Sequence, residues 1–187
     1  MKTRQLGDLT VSEVGMGCMA FSHGYGKIPP EQYSIEAIQN AYRHGCTLFD
    51  TAEIYSPNLA GIGHNERIVG KALKDVRKDV VLATKLFLDR SEARGKGGVY
   101  RAIRSHLEDS MDRLRTDMVD LYYLHRTNGG VMIEDVAEAM GLLIKPDKEK
   151  STEKIDGAVA TIMGLDRAIR NAGSTGSVYD ERGILSI

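Results

Sequence analysis

The segment that decides the fold is Thr47-Leu48-Phe49-Asp50-Thr51-Ala52-Glu53-Ile54-Tyr55, where a short apolar run ends at a carboxylate and leads to a tyrosine. Two later apolar runs also end at polar groups. Residues 80–84 precede Lys85, and residues 119–124 precede His125. Short apolar runs bounded by polar residues are typical of buried parallel strands. The carboxylate, hydroxyl, ammonium and imidazole are therefore predicted to share one edge of a parallel sheet.

Strands and helices alternate along the chain as far as about residue 145. A hairpin is predicted over 3–6 and 9–12, strands over 12–17, 47–50, 79–84 and 118–124, and helices over 30–43, 65–75, 98–114 and 133–144. In the third helix Ile103, Leu107 and Met111 recur at four-residue spacing and form an apolar stripe. Strands that alternate with amphipathic helices predict an α/β fold of about four βα units.

The composition is that of an ordinary soluble protein. The 187 residues are 42% apolar and 27% charged, with a net charge of −1. The absence of a basic excess argues against nucleic acid as a partner, and no apolar run is long enough to span a membrane. Cys18 and Cys46 lack metal-ligand spacing, so we expect reduced, buried thiols and a cytoplasmic location. No role is assigned to the remaining histidines, which are His23, His44, His64 and His106.

The character of the sequence changes after residue 145. Residues 146–154 are polar apart from Pro146 and predict a solvated linker. Residues 155–171 have the apolar spacing of an amphipathic helix, within a C-terminal segment that spans 155–187. The predicted organisation is therefore a βα domain over 1–145, a linker over 146–154 and a C-terminal helix and tail.

Five segments of residues 3–145 follow the pattern of one enzyme family. They are Gly15-Met16-Gly17-Cys18-Met19, Phe49 to Tyr55, Asn65 to Leu73, Ala83-Thr84-Lys85 and Arg113 to Arg126. In order and content they resemble the first half of an aldo-keto reductase. The resemblance implies a partial TIM barrel, with about four βα units of a (β/α)8 barrel. It also implies an oxidoreductase that reduces aldehydes or ketones with NAD(P)H, usually NADPH.

The resemblance also assigns roles to the polar residues at the strand ends. Tyr55 would be the proton donor to the carbonyl oxygen, Lys85 would lie beside it, Asp50 would pair with Lys85, and His125 would hold the carbonyl. Such a set suits the chemistry, because hydride addition builds charge on the carbonyl oxygen and a donor must stand there. A free tyrosine has a pKa of ~10, and a nearby ammonium favours its phenolate. Cys18, Met19 and Asp50 are the predicted cofactor neighbours, with NADP(H) the implied cofactor.

By the same resemblance, the second half of the barrel carries most of the cofactor contacts. Four parallel strands cannot close a small barrel, so we expect two open sheet edges, an uncovered inner face and impaired cofactor binding. A homodimer could bury both edges. Alternatively, the predicted helix over 155–171 could fold back over the sheet.

The C-terminal part has a resemblance of its own. Residues 144–160, 165–170 and 177–183 resemble the C-terminal end of a phage large terminase subunit. There Asp156 would match a metal-binding carboxylate, but a two-metal nuclease needs several acidic ligands, so no metal site is predicted. The simpler interpretation is a first-turn aspartate stabilised by the helix dipole. We therefore expect a chimera joined near residues 141–146, with a non-catalytic remnant or a phage DNA-packaging module as alternatives to a reductase.

Overall fold

The computed structural model describes residues 1–24, 26–57, 61–126 and 130–144. The predicted linker over 146–154, the predicted helix over 155–171 and Asp156 lie outside the described residues. The terminase-like resemblance and the chimera therefore stay predictions.

The chain begins with an antiparallel hairpin, as predicted. Strand β1 (Thr3–Leu6) pairs with β2 (Leu9–Ser12) through a turn in which Gly7 has a φ of 59°. The Val11 side chain of this hairpin is buried against Val81, Ala83 and Leu121 of the main sheet. The hairpin thus covers the amino-terminal end of the inner sheet face, which we had expected to be uncovered.

The main sheet has four parallel strands in chain order. They are β3 (Met16–Gly17), β4 (Leu48–Asp50), β5 (Val81–Leu86) and β6 (Leu121–Leu124). Strand β3 is shorter than the predicted 12–17, because Ser12 pairs with Thr3 in the hairpin and donates its backbone N–H to Thr47. In the register Asp50 lies beside Ala83, and Lys85 lies beside Tyr123. Since alternate residues of a strand share a face, all four belong to the inner face.

Four α-helices pack on the outer face of this sheet. They are α1 (Glu31–Arg43), α2 (His64–Leu73), α3 (Gly98–Leu114) and α4 (Ile133–Ile144), and two 3-10 helices cover Met19–Phe21 and Arg77–Asp79. Gly45 ends α1 with a φ of 90°, and its N–H donates to Tyr42 O at 2.8 Å. The core beneath the helices is apolar, and its fully buried side chains include Ile38, Phe49, Ile68, Leu82, Leu86, Ile103 and Leu114.

The α/β prediction with four parallel βα units is confirmed. Helices α3 and α4 match the predicted spans, and the other helices agree within two residues at each end. None of the described helices is long and apolar enough to cross a bilayer. The carboxyl edge of this sheet brings together Asp50 at the end of β4, Lys85 near the end of β5 and His125 just after β6.

Candidate active site

Lys85, near the end of β5, is the centre of the polar edge. Its ammonium contacts Asp50 Oδ1, donates to Thr51 O at 2.7 Å and lies 3.5 Å from Tyr55 Oη. The same nitrogen stands 5.1 Å from the centroid of the Tyr55 ring. The Lys85 side chain is 16% exposed and that of Asp50 is 38% exposed. The ammonium is therefore held against a carboxylate while it still touches a phenol hydroxyl.

The backbone after β4 explains how Tyr55 reaches Lys85. Thr51 N–H donates to Ala83 O at 2.9 Å, and Glu53 N–H donates to Lys85 O at 3.2 Å, so pairing with β5 continues past the strand end. Tyr55 N–H then donates to Ala52 O at 3.2 Å, which closes a turn. This segment, residues 51–55, is called the Tyr55 turn below. It turns the phenol back over the sheet.

His125 also lies against the phenol ring of Tyr55. Its backbone N–H donates to Leu86 O at 2.8 Å, and its ring packs edge-on against Tyr55 with 5.4 Å between centroids. His125 Nδ1 is buried and has no hydrogen-bond partner among the residues that the structure describes. Burial first, and then the positive charges of Lys85 and Arg126, lower the pKa of His125 below its usual 6.5. A neutral imidazole, with one N–H donor and one acceptor, is thus favoured.

The predicted cofactor neighbours divide into two groups. Met19 and Asp50 keep part of their side-chain surface exposed at the polar edge. Cys18 is fully buried in the apolar core, where burial raises the pKa of its thiol. Its backbone N–H donates to Asp50 O at 2.8 Å. The Cys18 thiol is therefore part of the core, and only the Cys18 backbone lies along the edge.

A buried charged cluster behind the Tyr55 turn did not emerge from the sequence. Glu53 and Glu66 are almost completely buried. Glu53 Oε2 lies 2.8 Å from His106 Nδ1 and 3.8 Å from Arg113, and Arg113 Nε donates to Glu66 Oε2 at 2.6 Å. Glu66 Oε1 accepts a bond from the Thr84 hydroxyl at 2.6 Å. These five residues, Glu53, Glu66, Thr84, His106 and Arg113, are called the Glu53 cluster.

One sequence signal could have revealed part of this cluster. His106, Ser110 and Arg113 are spaced four and three residues apart, so they share one face of α3 next to its apolar stripe.

A second set of polar contacts, between α2 and the loops before it, did not emerge from the sequence either. Thr51 donates to Asn65 Oδ1 at 2.6 Å, Asn65 Nδ2 donates to Cys18 O at 2.8 Å, and His64 Nδ1 lies 2.8 Å from Ser22 Oγ.

His23 also stands closer to the site than its loop position suggested. Its exposed ring lies nearly parallel to the Tyr55 ring, with 6.5 Å between centroids.

Among the described residues no group of three or more His, Cys, Asp or Glu side chains could hold a metal ion. A cavity of about 910 Å³ lies at the opposite, amino-terminal edge of the sheet, among Arg77, Asp79 and Thr116.

Comparison with known proteins gives one family. Residues 13–147 match the model of the Aldo/keto reductase family. The chain is 36% identical over 146 residues to the Probable aldo-keto reductase 1 of Glycine max, covering 75% of this chain and 40% of that protein. It is 32% identical over 157 residues to the aldo-keto reductase str7 of Strobilurus tenacellus, covering 80% and 44%. The chain thus spans about two fifths of the length of these relatives.

Solved structures give the same result. An aldo-keto reductase of Bacillus halodurans in its holo form superposes with a TM-score of 0.61 at 38% identity, covering 76% of this chain and 46% of that one. An aldo/keto reductase of Klebsiella pneumoniae in complex with NADP and acetate gives a TM-score of 0.57 at 32% identity, covering 72% and 42%. The four βα units are therefore part of a TIM barrel, as the resemblance implied.

Proposed function

Because the chain belongs to the aldo/keto reductase family, we propose that it is an oxidoreductase that reduces an aldehyde or ketone with NAD(P)H. The observation that carries the proposal is the position of the Lys85 ammonium, which contacts Asp50 and lies 3.5 Å from the hydroxyl of Tyr55. A strand-end lysine with a carboxylate alone would be an ordinary ion pair. A phenol as the third member adds a proton donor.

The proposed proton transfer uses this chain's own groups. The cofactor, when bound, supplies a hydride to the carbonyl carbon, and charge grows on the carbonyl oxygen. Tyr55 then gives its proton to that oxygen, and the Lys85 ammonium stabilises the phenolate that remains. Asp50 holds the Lys85 ammonium in place through their ion pair. His125, neutral because of its lowered pKa, offers an N–H to the same oxygen.

The residues at the polar edge fit such a reaction. His125 Nδ1 is buried, which leaves Nε2 as the ring nitrogen that could donate to the carbonyl oxygen. Met19 and Asp50 keep part of their side-chain surface exposed and would stand beside the nicotinamide. NADP(H) is our proposed cofactor, since the Klebsiella pneumoniae structure was determined with NADP.

We further propose that this chain binds the cofactor weakly. The chain spans only 40% of one relative and 44% of another, so much of the contact surface of a full barrel has no counterpart in it. In the described sheet, β3 and β6 are outer strands with one free edge each. The same observation favours the second candidate, a non-catalytic remnant. Pairing of two copies along these edges would rebuild a larger sheet.

The deciding experiment is an NADPH fluorescence titration on monomer and dimer fractions of the full chain, followed by NADPH consumption with a simple aldehyde. Tyr55→Phe should lower turnover by about 10²- to 10⁴-fold, because the proton donor is lost, and leave NADPH affinity unchanged. Tyr123→Phe is the matched control. Tyr123 is an inner-face tyrosine on β6 that pairs with Lys85 in the sheet register, and its removal should preserve turnover.

Each outcome identifies one candidate. Saturable NADPH binding with turnover that depends on Tyr55 supports the reductase. Turnover that Tyr55→Phe does not change would overturn the assigned proton donor. Failure to bind NADPH at high protein concentration, in both fractions, would identify the chain as a remnant.

A further inference from the structure

We propose that Glu53 is a positioning residue that holds the Tyr55 turn against β5 and α3, so that the Tyr55 hydroxyl stays beside Lys85. The inference deepens the proposed function and rests on it. Glu53 touches neither Lys85 Nζ nor the Tyr55 hydroxyl, so its action is on geometry. Five contacts of Glu53, two through its backbone and three through its carboxylate, carry the argument.

The first contacts tie the Tyr55 turn to β5 on both sides of the strand end. Glu53 N–H donates to Lys85 O at 3.2 Å, and Glu53 Oε1 accepts the Phe87 N–H at 2.6 Å. Strand β4 ends at Asp50, so a side-chain oxygen takes the place that a backbone carbonyl of a longer strand would occupy. A single residue therefore fixes the backbone on both sides of Leu86, immediately after the lysine-bearing position.

The second carboxylate oxygen reaches a different element. Glu53 Oε2 lies 2.8 Å from His106 Nδ1 and 3.8 Å from Arg113 Nη2, both on α3. The Glu53 side chain is 2% exposed, so its charge has to be satisfied by these partners. On the opposite side, Gly63 N–H donates to Glu53 O at 2.6 Å, which connects the segment before α2. Glu53 is thus the junction of three elements.

No other side chain of the turn makes an equivalent tie. Ala52 and Ile54 have no polar side-chain atoms, and Thr51 bonds to Asn65 rather than to α3. The Tyr55 hydroxyl, two residues beyond Glu53, makes its described hydrogen bond only with Lys85, at 3.5 Å. A bond of that length is at the limit of hydrogen bonding, so a small shift of the turn breaks it.

The test reads the position of the Tyr55 ring directly, in the full chain and without cofactor. The Tyr55 and His125 rings are 5.4 Å apart between centroids, so they give a nuclear Overhauser effect between ring protons. Glu53→Ala should reduce this signal at least twofold. Glu53→Gln, which keeps an acceptor for Phe87 N–H, should reduce it less. Methyl signals of Ile68 and Leu82 in the core should stay unchanged, which separates repositioning from unfolding.

Glu92→Gln is the matched control. Glu92 also approaches His106, at 3.4 Å, but its side chain is 45% exposed and it lies outside the Tyr55 turn. It should leave the Tyr55–His125 signal intact. Full signal in folded Glu53→Ala, or equal loss in Glu92→Gln, would overturn the proposal. If Glu53→Ala does not fold, the same ring signal is measured in His106→Gln, which alters a contact of Glu53 with α3. Partial loss of the ring signal supports the tie to α3, and an unchanged signal overturns it.

The outcome is independent of whether the chain turns over. The ring contact is measured without NADPH, whereas failure of the proposed function would appear as absent NADPH binding by the unmodified chain. Where the unmodified chain is active, Glu53→Ala should lower kcat with little change in the KM for the aldehyde.

Discussion

The two sides of the Tyr55 turn carry charged clusters of opposite character. On the inner face, Lys85 meets Asp50 and Tyr55, Asp50 is 38% exposed, and His125 Nδ1 has no partner among the described residues. On the helix side, both glutamates of the Glu53 cluster are almost completely buried, and each of their carboxylate oxygens has a partner. The first set includes a partly exposed carboxylate that solvent or a ligand can reach, while every carboxylate oxygen of the second already has a partner.

This difference separates reactivity from stability along one short segment. Removing one partner of a buried ion pair leaves an uncompensated charge, which is costly, whereas a partly exposed pair is relieved by water. Removal of Arg113, the shared partner of both buried glutamates, should therefore act mainly on folding. Substitutions at Asp50, Lys85 or Tyr55 should act mainly on chemistry.

The largest effect is expected for Arg113→Ala. It leaves the buried carboxylates of Glu53 and Glu66 without their guanidinium, and should lower the free energy of unfolding by about 3 to 5 kcal/mol. Urea denaturation followed by circular dichroism measures it. Arg104→Ala, on the exposed face of the same helix beside Glu108, is the control and should cost far less. Equal losses of stability in the two variants would contradict the expected cost of leaving buried carboxylates without their partner.

Gly63→Ala should have the next largest effect. Gly63 has a φ of 82°, and an added Cβ would stand 2.0 Å from Arg113 Cδ, so both backbone strain and a clash with the Glu53 cluster arise. Gly61→Ala is the control, because Gly61 has a φ of 69° with nothing within 4 Å of an added Cβ. The strain alone costs about 1 to 2 kcal/mol. Thermal melts should show a larger loss for Gly63→Ala than for Gly61→Ala, and the reverse order would contradict the packing described.

Lys85→Met should change stability least among the charged substitutions. Asp50 remains partly exposed, so losing its partner should cost at most about 1 kcal/mol. Proton transfer should nevertheless be lost, because the phenolate is no longer stabilised. Denaturation and NADPH consumption, measured on the same preparation, check the two halves of this expectation. A loss of stability in Lys85→Met as large as that in Arg113→Ala would contradict the difference described between the two sides of the Tyr55 turn.

The smallest effect is expected in the pH dependence of stability, to which His106 and His125 contribute in opposite directions. The hydrogen bond that His106 donates to Glu53 raises the pKa of His106 above its usual 6.5. Burial lowers this pKa, and the negative charges of Glu53 and Glu92 raise it further. His106 therefore contributes stability fully below pH 6.5, and this contribution is lost as pH rises through its raised pKa. The pKa of His125 is lowered, so its contribution is present above 6.5 and is lost as pH falls through the lowered value.

Histidine ring NMR titrations check this pair. His106 should titrate above 6.5 and His125 below it, and Glu53→Gln should lower the pKa of His106 more than Glu92→Gln does. The reverse order of the two pKa values would contradict the described geometry. The ionisable groups around His106 are Glu53 after β4, Glu92 after β5, and Asp109 and Arg113 on α3. Those around His125 are Asp50, Glu53, Lys85 and Arg126.

The sequence by itself determined the order of the elements and the place of Asp50, Tyr55, Lys85 and His125 at one sheet edge. Periodicity is a local property, and parallel strands necessarily bring their carboxyl ends together. Only the tertiary structure decided which side chains are exposed at the polar edge and which are buried in the core. It buried the Cys18 thiol in the core and laid the hairpin over the inner face.

The Glu53 cluster also belongs to the tertiary structure. Glu53 and His106 are 53 residues apart, and Glu66 and Arg113 are 47 apart, so no local pattern specifies their pairing. Glu66 on α2 and Arg113 on α3 can meet because the two helices approach closely at Gly70, where an added Cβ would stand 2.7 Å from the Leu114 carbonyl. A buried charge has to find a partner wherever packing places it, and packing depends on the whole fold rather than on any one segment.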